Sequence, residues 1–256
     1  MTTTRPQLES YLNELLRPSE FEDYGPNGLQ IEGTNDIGRL AFAVSATADS
    51  IAHAVAWKAD ALVVHHGLFW EFHGVRPIVG PFASRVSPLI QAQINLFGFH
   101  LPLDANLEVG NAAGIARRIS LQDVAPFGDH KGMPTGVSGR LSTTTTTETL
   151  QAQLADTLQH DVILSSPDTS ATIQTLGIIT GGANGGWVNA LESGLDAYLT
   201  GEMSEHDWHE AKESGIHMFA GGHNATESFG VQDLMARMSR DFPAIEMIYL
   251  ASPNPA

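Results

Sequence analysis

A strand–helix–strand pattern in the first quarter of the sequence constrains the fold more than any other feature. Residues 39–46, RLAFAVSA, and residues 61–64, ALVV, are apolar runs of strand length. Residues 48–59 between them have the periodicity of a helix, with Asp49 or Ser50 as its N-cap. Strands joined through a helix are usually parallel neighbours in one sheet, so the sequence predicts an α/β fold.

The same pattern occurs again later in the chain. Residues 176–182 and 197–200 are strand-like, and residues 184–195 between them fit a helix. When Leu40 is set over Leu176, the same offset of about 136 residues, without gaps, also superposes Ala54 on Ala190, Asp60 on Asp196 and Ala61 on Ala197. Any two strand–helix–strand units share this order, so two unrelated units are the alternative. We predict an internal duplication, with two similar α/β halves at 1–125 and 126–256 and a metal site in the cleft between them.

Charge and cysteine content exclude several classes of function. The 256 residues have a formal net charge of -16 at pH 7 and include no cysteine. Because so acidic a chain repels phosphate backbones and anionic lipids, we expect no nucleic acid and no membrane as partners. The lack of cysteine excludes disulfides, thiolate zinc sites and cysteine nucleophiles. No signal-peptide core and no membrane-spanning apolar run is present in the sequence, so we expect a cytoplasmic protein.

Pairs of candidate metal ligands, histidines with a second histidine or a carboxylate, stand in three places, each after an apolar strand. The three pairs are His65 with His66, His100 with Asp104, and His223 with Glu227. Ligands of α/β proteins bind at the carboxyl ends of the strands, so the three loops are expected to converge. Because Pro102 disfavours a continuous helix, we expect an extended segment at 99–106, with His100 and Asp104 on one side.

Taken alone, each of these residues has a simpler explanation. His100 fits a buried, hydrogen-bonded histidine, Asp104 fits a helix cap, and Glu227 fits a capping-box carboxylate. Taken together, the pairs at 100 and 223 have the related patterns His-x-x-x-Asp and His-x-x-x-Glu, offset by about 123 residues. We therefore expect the two halves to contribute equivalent pairs to one site.

The number and type of these side chains indicate two metal ions. Four imidazoles and two carboxylates exceed the four ligands that one zinc ion takes. Imidazole combined with carboxylate favours Zn, Fe, Mn or Ni over Ca or Mg. Two such ions about 3.5–4 Å apart acidify a shared water molecule, which supplies a nucleophile for hydrolysis. The predicted ligands of two divalent ions are His65, His66, His100 and Asp104 in the first half, and His223 and Glu227 in the second.

Glu202 and His206 are the predicted catalytic acid or base. They stand where the second half corresponds to His66 and the residues after it. For His206 the simpler explanation is a solvated helix face, since His209 follows three residues later on an expected amphipathic helix. The glycine-rich stretch 181–186, GGANGG, could cradle an anion at a helix start, but it is not a dinucleotide motif.

Six blocks of the sequence resemble, in order, the signature blocks of a known family. The blocks are DYGPNGLQIEG, ALVVHHGLFW, HLPLDAN, ITGGANGGW, AYLTGEMSEH and GGHNATESFG. They are similar to those of the GTP cyclohydrolase 1 type 2 homologue family, dinuclear-metal proteins related to the yeast Ngg1-interacting factor. The resemblance extends from about residue 5 to about residue 250. It implies the metal ligands His65, His66, Asp104, His223 and Glu227, with His100 beside them, while Asn106 departs from the His that the family often has.

The resemblance also implies an assembly and a reaction. It implies the compact form of the family, without an inserted domain, and a toroidal homohexamer whose metal sites face the inner cavity. The family's name implies a small-molecule substrate, GTP, whose guanine ring is opened by hydrolysis. Two hypotheses follow: a metal-dependent hydrolase of a nucleotide or related small molecule, and a non-enzymatic metal-binding or regulatory hexamer. Hydrolysis of peptides or phosphodiesters at the same site is a third.

Overall fold

The computed structural model describes residues 3–256. The first half of the elements, in chain order, is β1 (Thr3–Thr4), α1 (Arg5–Leu16), β2 (Gly28–Ile31), β3 (Asp36–Ile37), β4 (Arg39–Ser45), α2 (Ala48–Ala56), β5 (Ala61–His66), α3 (Gly80–Gln91), β6 (Asn95–Gly98), α4 (Leu101–Asp104) and α5 (Asn111–Arg118). The second half is β7 (Gln122–Phe127), β8 (Gly136–Thr146), α6 (Thr147–Leu158), β9 (Ile163–Ser165), β10 (Thr172–Ile178), α7 (Trp187–Glu192), β11 (Ala197–Thr200), α8 (Glu205–Glu213), β12 (His217–Ala220), α9 (His223–Asp241) and β13 (Glu246–Tyr249). Short 3₁₀ turns lie at Pro18–Glu20, Glu71–His73 and Asn184–Gly186.

The chain packs into two compact units. Unit 1 consists of the described residues up to Leu103 together with Val231–Pro253, and unit 2 consists of Asp104–Gly230 with Asn254–Ala256. This division differs from the expected halves 1–125 and 126–256. The reason is strand pairing: β13 pairs in parallel with β4 and so belongs to unit 1, while β7 pairs with β8 and so belongs to unit 2.

Unit 1 is organised around a five-stranded sheet in the order β13-β4-β5-β6-β2. The first four strands are parallel, and β2 runs antiparallel to β6. Strand β4 is buried along Leu40–Val44, as is typical of a parallel sheet that is covered on both faces. The core of the unit is formed by apolar side chains of these strands with α2 and α3, among them Ile51, Leu62, Val64, Leu89 and Leu96.

Helix α2 begins where Thr47 caps it. The Thr47 hydroxyl oxygen accepts the backbone N–H of Ser50, and the Ser50 hydroxyl oxygen accepts the backbone N–H of Thr47. This reciprocal capping box satisfies two N–H groups that have no partner within the helix. The predicted caps, Asp49 and Ser50, are therefore wrong: both lie inside the first turn, and Ser50 is the third helical residue.

Unit 2 is organised around a six-stranded sheet in the order β7-β8-β10-β11-β12-β9. Its central strands β10, β11 and β12 are parallel, and the others are antiparallel to their neighbours. The strand predicted at 197–200 is confirmed as β11, and the apolar strand expected before His223 is confirmed as β12. One apolar cluster lies with α5 and α6 and includes Leu150, Leu154 and Leu176, and another includes Trp187, Tyr198 and Met218.

The two units repeat one arrangement, which confirms the prediction of two similar α/β halves. Strands β2, β6, β5 and β4 of unit 1 have the same order and directions as β9, β12, β11 and β10 of unit 2. The register agrees as well, since Leu40 pairs with Ala61 and Leu176 pairs with Ala197.

One carboxylate in each unit holds the backbone of the strand next to it, at the start of β4 in unit 1 and at a register shift within β10 in unit 2. Asp60 Oδ2 accepts the backbone N–H groups of Gly38 and Arg39, both at 2.8 Å. Asp196 Oδ2 accepts those of Gln174 and Thr175, at 2.9 and 2.8 Å. The superposition of Asp60 on Asp196 that the sequence indicated thus corresponds to one shared structural role.

Residues 101–104 form the short helix α4, which differs from the extended segment expected at 99–106. Pro102 is the second residue of α4, a position where a missing N–H costs no helical hydrogen bond. Ala61 pairs with Asn95 and its equivalent Ala197 pairs with His217, so the helix start at His223 corresponds to Leu101. Equivalent positions of the two units therefore differ by 122 residues here, whereas the pairs His100 with Asp104 and His223 with Glu227 differ by 123. The two pairs are one residue away from structural equivalence.

Helix α9, with 19 residues, ends in an ion pair between Arg237 and Asp241. Polar and charged side chains recur along its length, among them Glu227, Asp233 and Arg237. Within residues 3–256, none of the helices combines the length and the apolar character that crossing a lipid bilayer requires.

The Asp196 carboxylate gives the first testable prediction. Burial alone would raise its pKa, but the hydrogen bonds from Gln174 and Thr175 outweigh burial and lower the pKa below the ordinary value of 3.8. Asp196→Asn is expected to reduce the free energy of unfolding at pH 7 by about 1–3 kcal/mol, as is typical of hydrogen bonds to a charged group. Urea denaturation of both proteins measures this difference.

The pH dependence of that difference has a defined sign. A carboxylate whose pKa is lowered by folding stabilises fully above the unfolded pKa, and its contribution is lost as pH falls through the folded value. The deficit of Asp196→Asn should therefore shrink below about pH 4. Asp60→Asn should show a similar deficit at pH 7, and Glu213→Gln, on the exposed side of α8, should show none. A deficit that is equal at all pH values would contradict this role.

Candidate metal centre

Strand β5 ends in His65 and His66, whose rings are turned by different partners. His65 is fully buried, and its Nδ1–H donates to the backbone carbonyl oxygen of Phe99 at 3.1 Å. Since a carbonyl oxygen only accepts, the lone pair of the imidazole is on Nε2, which is a metal-ligating nitrogen. His66 Nδ1 lies 2.9 Å from the hydroxyl of Ser45, the residue it pairs with on β4.

His100 is oriented by Asp23. Its Nδ1–H donates to Asp23 Oδ1 at 2.7 Å, and Asp23 also accepts from the Asn27 amide and the backbone N–H of Leu101. Burial would raise the pKa of Asp23, but the hydrogen bond and charge of His100, with the other donors, lower it to about 2. A carboxylate that holds one imidazole nitrogen, with the other nitrogen directed elsewhere, is the usual arrangement behind a metal-ligating histidine.

These three histidines form a compact set within unit 1. Each offers a ring nitrogen, and the three nitrogens lie within 4.8 Å of one another. The ring of His65 is centred 4.6 Å from that of His66 and 5.0 Å from that of His100. Ligands on one ion lie within about 4.2 Å of each other, twice the Zn–N bond length, so small side-chain movements would bring them into coordination.

In unit 2, Asp104 is held by two donors, one seven residues away in the sequence and one 76 residues away. Its Oδ1 accepts the Asn111 side-chain amide at 2.8 Å and the Thr180 hydroxyl at 3.1 Å. The Asn111 carbonyl oxygen in turn accepts the backbone N–H of Gly230 at 2.6 Å. Asp104 and Glu227 are both buried, and their carboxylate oxygens lie within 4.8 Å of each other.

His223 lies between two carboxylates of unit 2. Its Nε2 is 3.2 Å from Glu227 Oε2, and its Nδ1 is 2.5 Å from Glu202 Oε1. The hydrogen bond to Glu227 raises the pKa of His223 most, burial lowers it, and the charges of Glu227 and Glu202 bring it to about 9. A proton and a metal ion would compete for the nitrogen that faces Glu227.

Gly181 makes room for Glu227. The glycine has φ +68°, and a Cβ atom there would lie 2.1 Å from Glu227 Oε1. Its backbone oxygen accepts the N–H groups of Gly201 and Glu202, at 2.9 and 3.1 Å, so the loop is fixed in this position. The backbone at the start of the glycine-rich stretch 181–186 thus packs against a carboxylate of the protein itself. The sequence suggested instead that this stretch binds an external anion at a helix start.

The predicted site residues are distributed over the two units as follows. Unit 1 brings together His65, His66 and His100, and unit 2 brings together Asp104, His223, Glu227 and Glu202. His206 is exposed on α8, where it contacts Ser204 and Asp207. Asn106 accepts the backbone N–H groups of Glu108 and Val109 and so shapes the loop after α4. The assignment of these residues as ligands or catalysts stays a prediction.

Four residues whose side chains orient the candidate ligands were missed from the sequence, one of them Ser45 at the end of β4, 21 residues before His66. Asp23 stands in the turn-rich DYGPNG block, Asn111 opens α5, and Thr180 precedes the glycine pair. Asp23 is 77 residues from His100, and Thr180 is 76 residues from Asp104, so no local pattern links them to the side chains they hold. For Asn111 a signal was available, because it follows Asp104 by seven residues.

The donor sets fit divalent transition metals. Imidazole nitrogens and carboxylate oxygens, without thiolates, suit Zn, Fe, Mn or Ni. A group of three histidines meets the ligand count of a zinc site that keeps one open position. Two carboxylates with a histidine also suit such an ion, and carboxylates can bridge two ions because each has two oxygens.

The chain is similar to known proteins over nearly its whole length. A family model described as Duf34/NIF3 (NGG1p interacting factor 3) matches residues 3–255. A Pasteurella multocida protein named "GTP cyclohydrolase 1 type 2 homolog" is 37% identical over 251 residues, 98% of each chain. One of the same name from Deinococcus radiodurans is 40% identical over 243 residues, 93% of this chain and 89% of that protein. A solved structure described as "protein ybgI, unknown function" has a TM-score of 0.91 and 32% identity, covering 99% of this chain and 100% of that one.

Asp23 gives a prediction about metal affinity. Asp23→Asn removes the charge that holds His100 and should weaken binding of Zn²⁺ or Mn²⁺ by about 10- to 100-fold, as is typical when such a partner is lost. Competition against a chelator of known affinity measures the change. Asp168→Asn, which alters an exposed carboxylate bonded to Ser170, is the matched control and should bind as the unchanged protein does. Equal affinities for all three proteins would contradict a ligand role for His100.

Proposed function

Because this chain belongs to the Duf34/NIF3 family, we propose that it binds two divalent metal ions and uses them to hydrolyse a nucleotide or related small molecule. The observation that carries the proposal is the presence of two ligand sets, one in each unit, whose members are already oriented by hydrogen bonds. Six side chains are more than one ion takes, and the set of imidazoles and the set dominated by carboxylates differ in donor type. Two ions per chain are therefore expected.

Divalent ions at such a site, when bound, supply Lewis acidity and lower the pKa of water. The residues around them have separate tasks. Asp23 and the Phe99 carbonyl fix the rings of His100 and His65, and Asn111 with Thr180 fixes the carboxylate of Asp104. Preset ligands reduce the reorganisation that binding and reaction require.

Glu202 is the better placed of the two predicted acid–base residues. Its carboxylate is 2.5 Å from His223 Nδ1, and its side chain is half exposed, so it has access both to the ligand set of unit 2 and to solvent. A carboxylate in this position can hold a proton and pass it to a substrate. For His206, whose contacts are Ser204 and Asp207, the catalytic role is proposed on the sequence alone.

The first substrate to test is GTP. The relatives from Pasteurella multocida and Deinococcus radiodurans carry "GTP cyclohydrolase" in their names. In the proposed reaction, water adds to the five-membered ring of guanine and a ring C–N bond breaks. Metal ions would also offset the repulsion between a triphosphate and a chain of net charge -16. A toroidal homohexamer is part of this proposal.

The alternative is a non-enzymatic metal-binding or regulatory hexamer. One observation favours it: His65, Asp104 and Glu227 are almost completely buried, with at most 7% of each residue exposed. Deeply buried ligands are typical of sites that hold an ion for structural reasons. Fully occupied coordination without exchangeable water would support this alternative.

The experiment compares purified protein loaded with Mn²⁺, Zn²⁺ or Fe²⁺ against GTP and a panel of phosphoesters. We expect metal-dependent turnover that His66→Ala and Glu227→Gln abolish. His209→Ala, a change on the exposed face of α8, should retain it. Elemental analysis should find two ions per chain, and light scattering should find six chains per particle. Two ions per chain with no turnover above His66→Ala would reject the hydrolase and support the alternative.

A further inference from the structure

Three aromatic side chains of unit 1 are linked to its imidazoles, two by direct ring contact and the third through Trp70. They are Tyr24, Trp70 and Phe72, and we call them the aromatic platform. Tyr24 is 46% exposed and Phe72 is 71% exposed, although aromatic residues usually bury most of their surface. The metal-binding part of the proposed function makes no use of them.

Trp70 is fixed against the candidate ligands. Its ring centre lies 5.1 Å from that of His100, at an interplanar angle of 88°, and 5.9 Å from that of His66. Its indole N–H donates to the Gly67 carbonyl at 3.2 Å, which holds the ring in this orientation. The platform therefore adjoins the proposed metal ligands through direct ring contacts.

Of the other two rings, Phe72 contacts Trp70 and Tyr24 contacts His100. Phe72 lies nearly parallel to Trp70, with ring centres 5.7 Å apart and planes at 21°. Tyr24 has its ring centre 5.9 Å from that of His100, and its backbone carbonyl accepts the N–H of Glu71 at 2.7 Å. A planar ring placed on the exposed Phe72 would extend an existing parallel stack, the arrangement in which aromatic rings attract each other.

Arg76, a cation in the same loop, already has two partners within unit 1. Arg76 donates to the backbone carbonyl of Leu68 at 2.9 Å, and its guanidinium lies 3.6 Å from the ring centre of Phe82. The loop from Trp70 to Val79 exposes Val75, Ile78 and Val79 beside Phe72, together with Glu71 and with His73, whose ring centre lies 4.6 Å from that of Phe72. Such a surface fits an uncharged planar group better than it fits a phosphate chain.

We propose that the aromatic platform binds the planar heteroaromatic ring of the substrate, as a nucleobase is bound by stacking, and that Trp70 and Phe72 supply affinity for a planar ring without selecting one base. This inference rests on the proposed function, since the ring belongs to the molecule that the metal centre acts on. It assigns the two parts of a nucleotide to different partners: the base to the platform and the phosphates to the ions. Stacking on an aromatic side chain tolerates any base, because every base has a π-face.

The test separates the base from the phosphates. The metal-loaded protein is titrated with guanosine and, separately, with inorganic triphosphate, and binding is followed by tryptophan fluorescence and calorimetry. Trp70→Ala should weaken guanosine binding on the order of ten- to a hundredfold and leave triphosphate binding unchanged. Trp70→Phe should restore most of the loss. Phe72→Ala, which removes the exposed ring on which the base would stack without threatening the core, should weaken guanosine binding at least as much as Trp70→Ala does.

The matched control is Trp208→Ala. Trp208 is another surface tryptophan, on α8 of unit 2, where it contacts His209 and Lys212. The Trp208→Ala variant should bind guanosine and triphosphate as the unchanged protein does. Equal loss of guanosine and triphosphate binding in Trp70→Ala would make Trp70 a support of the metal ligands and overturn the proposal. A changed particle size in Phe72→Ala with unaltered guanosine affinity would assign this surface to subunit packing and also overturn it.

The outcome is independent of the proposed reaction. If guanosine binds through Trp70 but no substrate is turned over, the hydrolase fails and the platform stands. If GTP is turned over equally by Trp70→Ala and the unchanged protein, with equal KM, the platform fails and the hydrolase stands.

Discussion

The register of the parallel strands in unit 1 is the constraint on which its candidate site depends. Ser45 pairs with His66 across β4 and β5, and Val64 pairs with Gly98 across β5 and β6. These pairings set the three strands level at their carboxyl ends, so that His100, two residues after β6, lies beside the histidines of β5. Side chains alternate along a strand, so a shift of β5 by one residue would exchange the directions of His65 and His66.

Hydrogen bonds then decide which way each candidate ligand turns. A backbone carbonyl holds His65, a hydroxyl holds His66 and a carboxylate holds His100. In unit 2 an amide and a hydroxyl hold Asp104. The partners differ in chemistry but have one effect: they fix side chains that would otherwise lose rotational freedom when an ion binds, and so they favour binding.

The two units use the same backbone for different ligand chemistry. Gly201 and Glu202 follow β11 at the positions where His65 and His66 end β5, and Asp60 and Asp196 hold corresponding backbone segments. Unit 1 therefore presents imidazoles, whereas unit 2 presents carboxylates and one imidazole. Two similar frameworks can carry different side chains at their strand ends, because residues there can change without disturbing the buried core.

The strands β11 and β12, the two similar halves and the histidine and carboxylate pairs were all accessible from the sequence, because apolar periodicity and residue type are local properties. The division into units, the Thr47 cap, the helix at Leu101–Asp104 and the partners Asp23 and Thr180 were not. Asp23 is 77 residues from His100 and Thr180 is 76 residues from Asp104. A sequence specifies which side chains are able to ligate a metal. Which of them meet, and which neighbour orients each one, depends on strand register and loop path, and only the tertiary structure decided those.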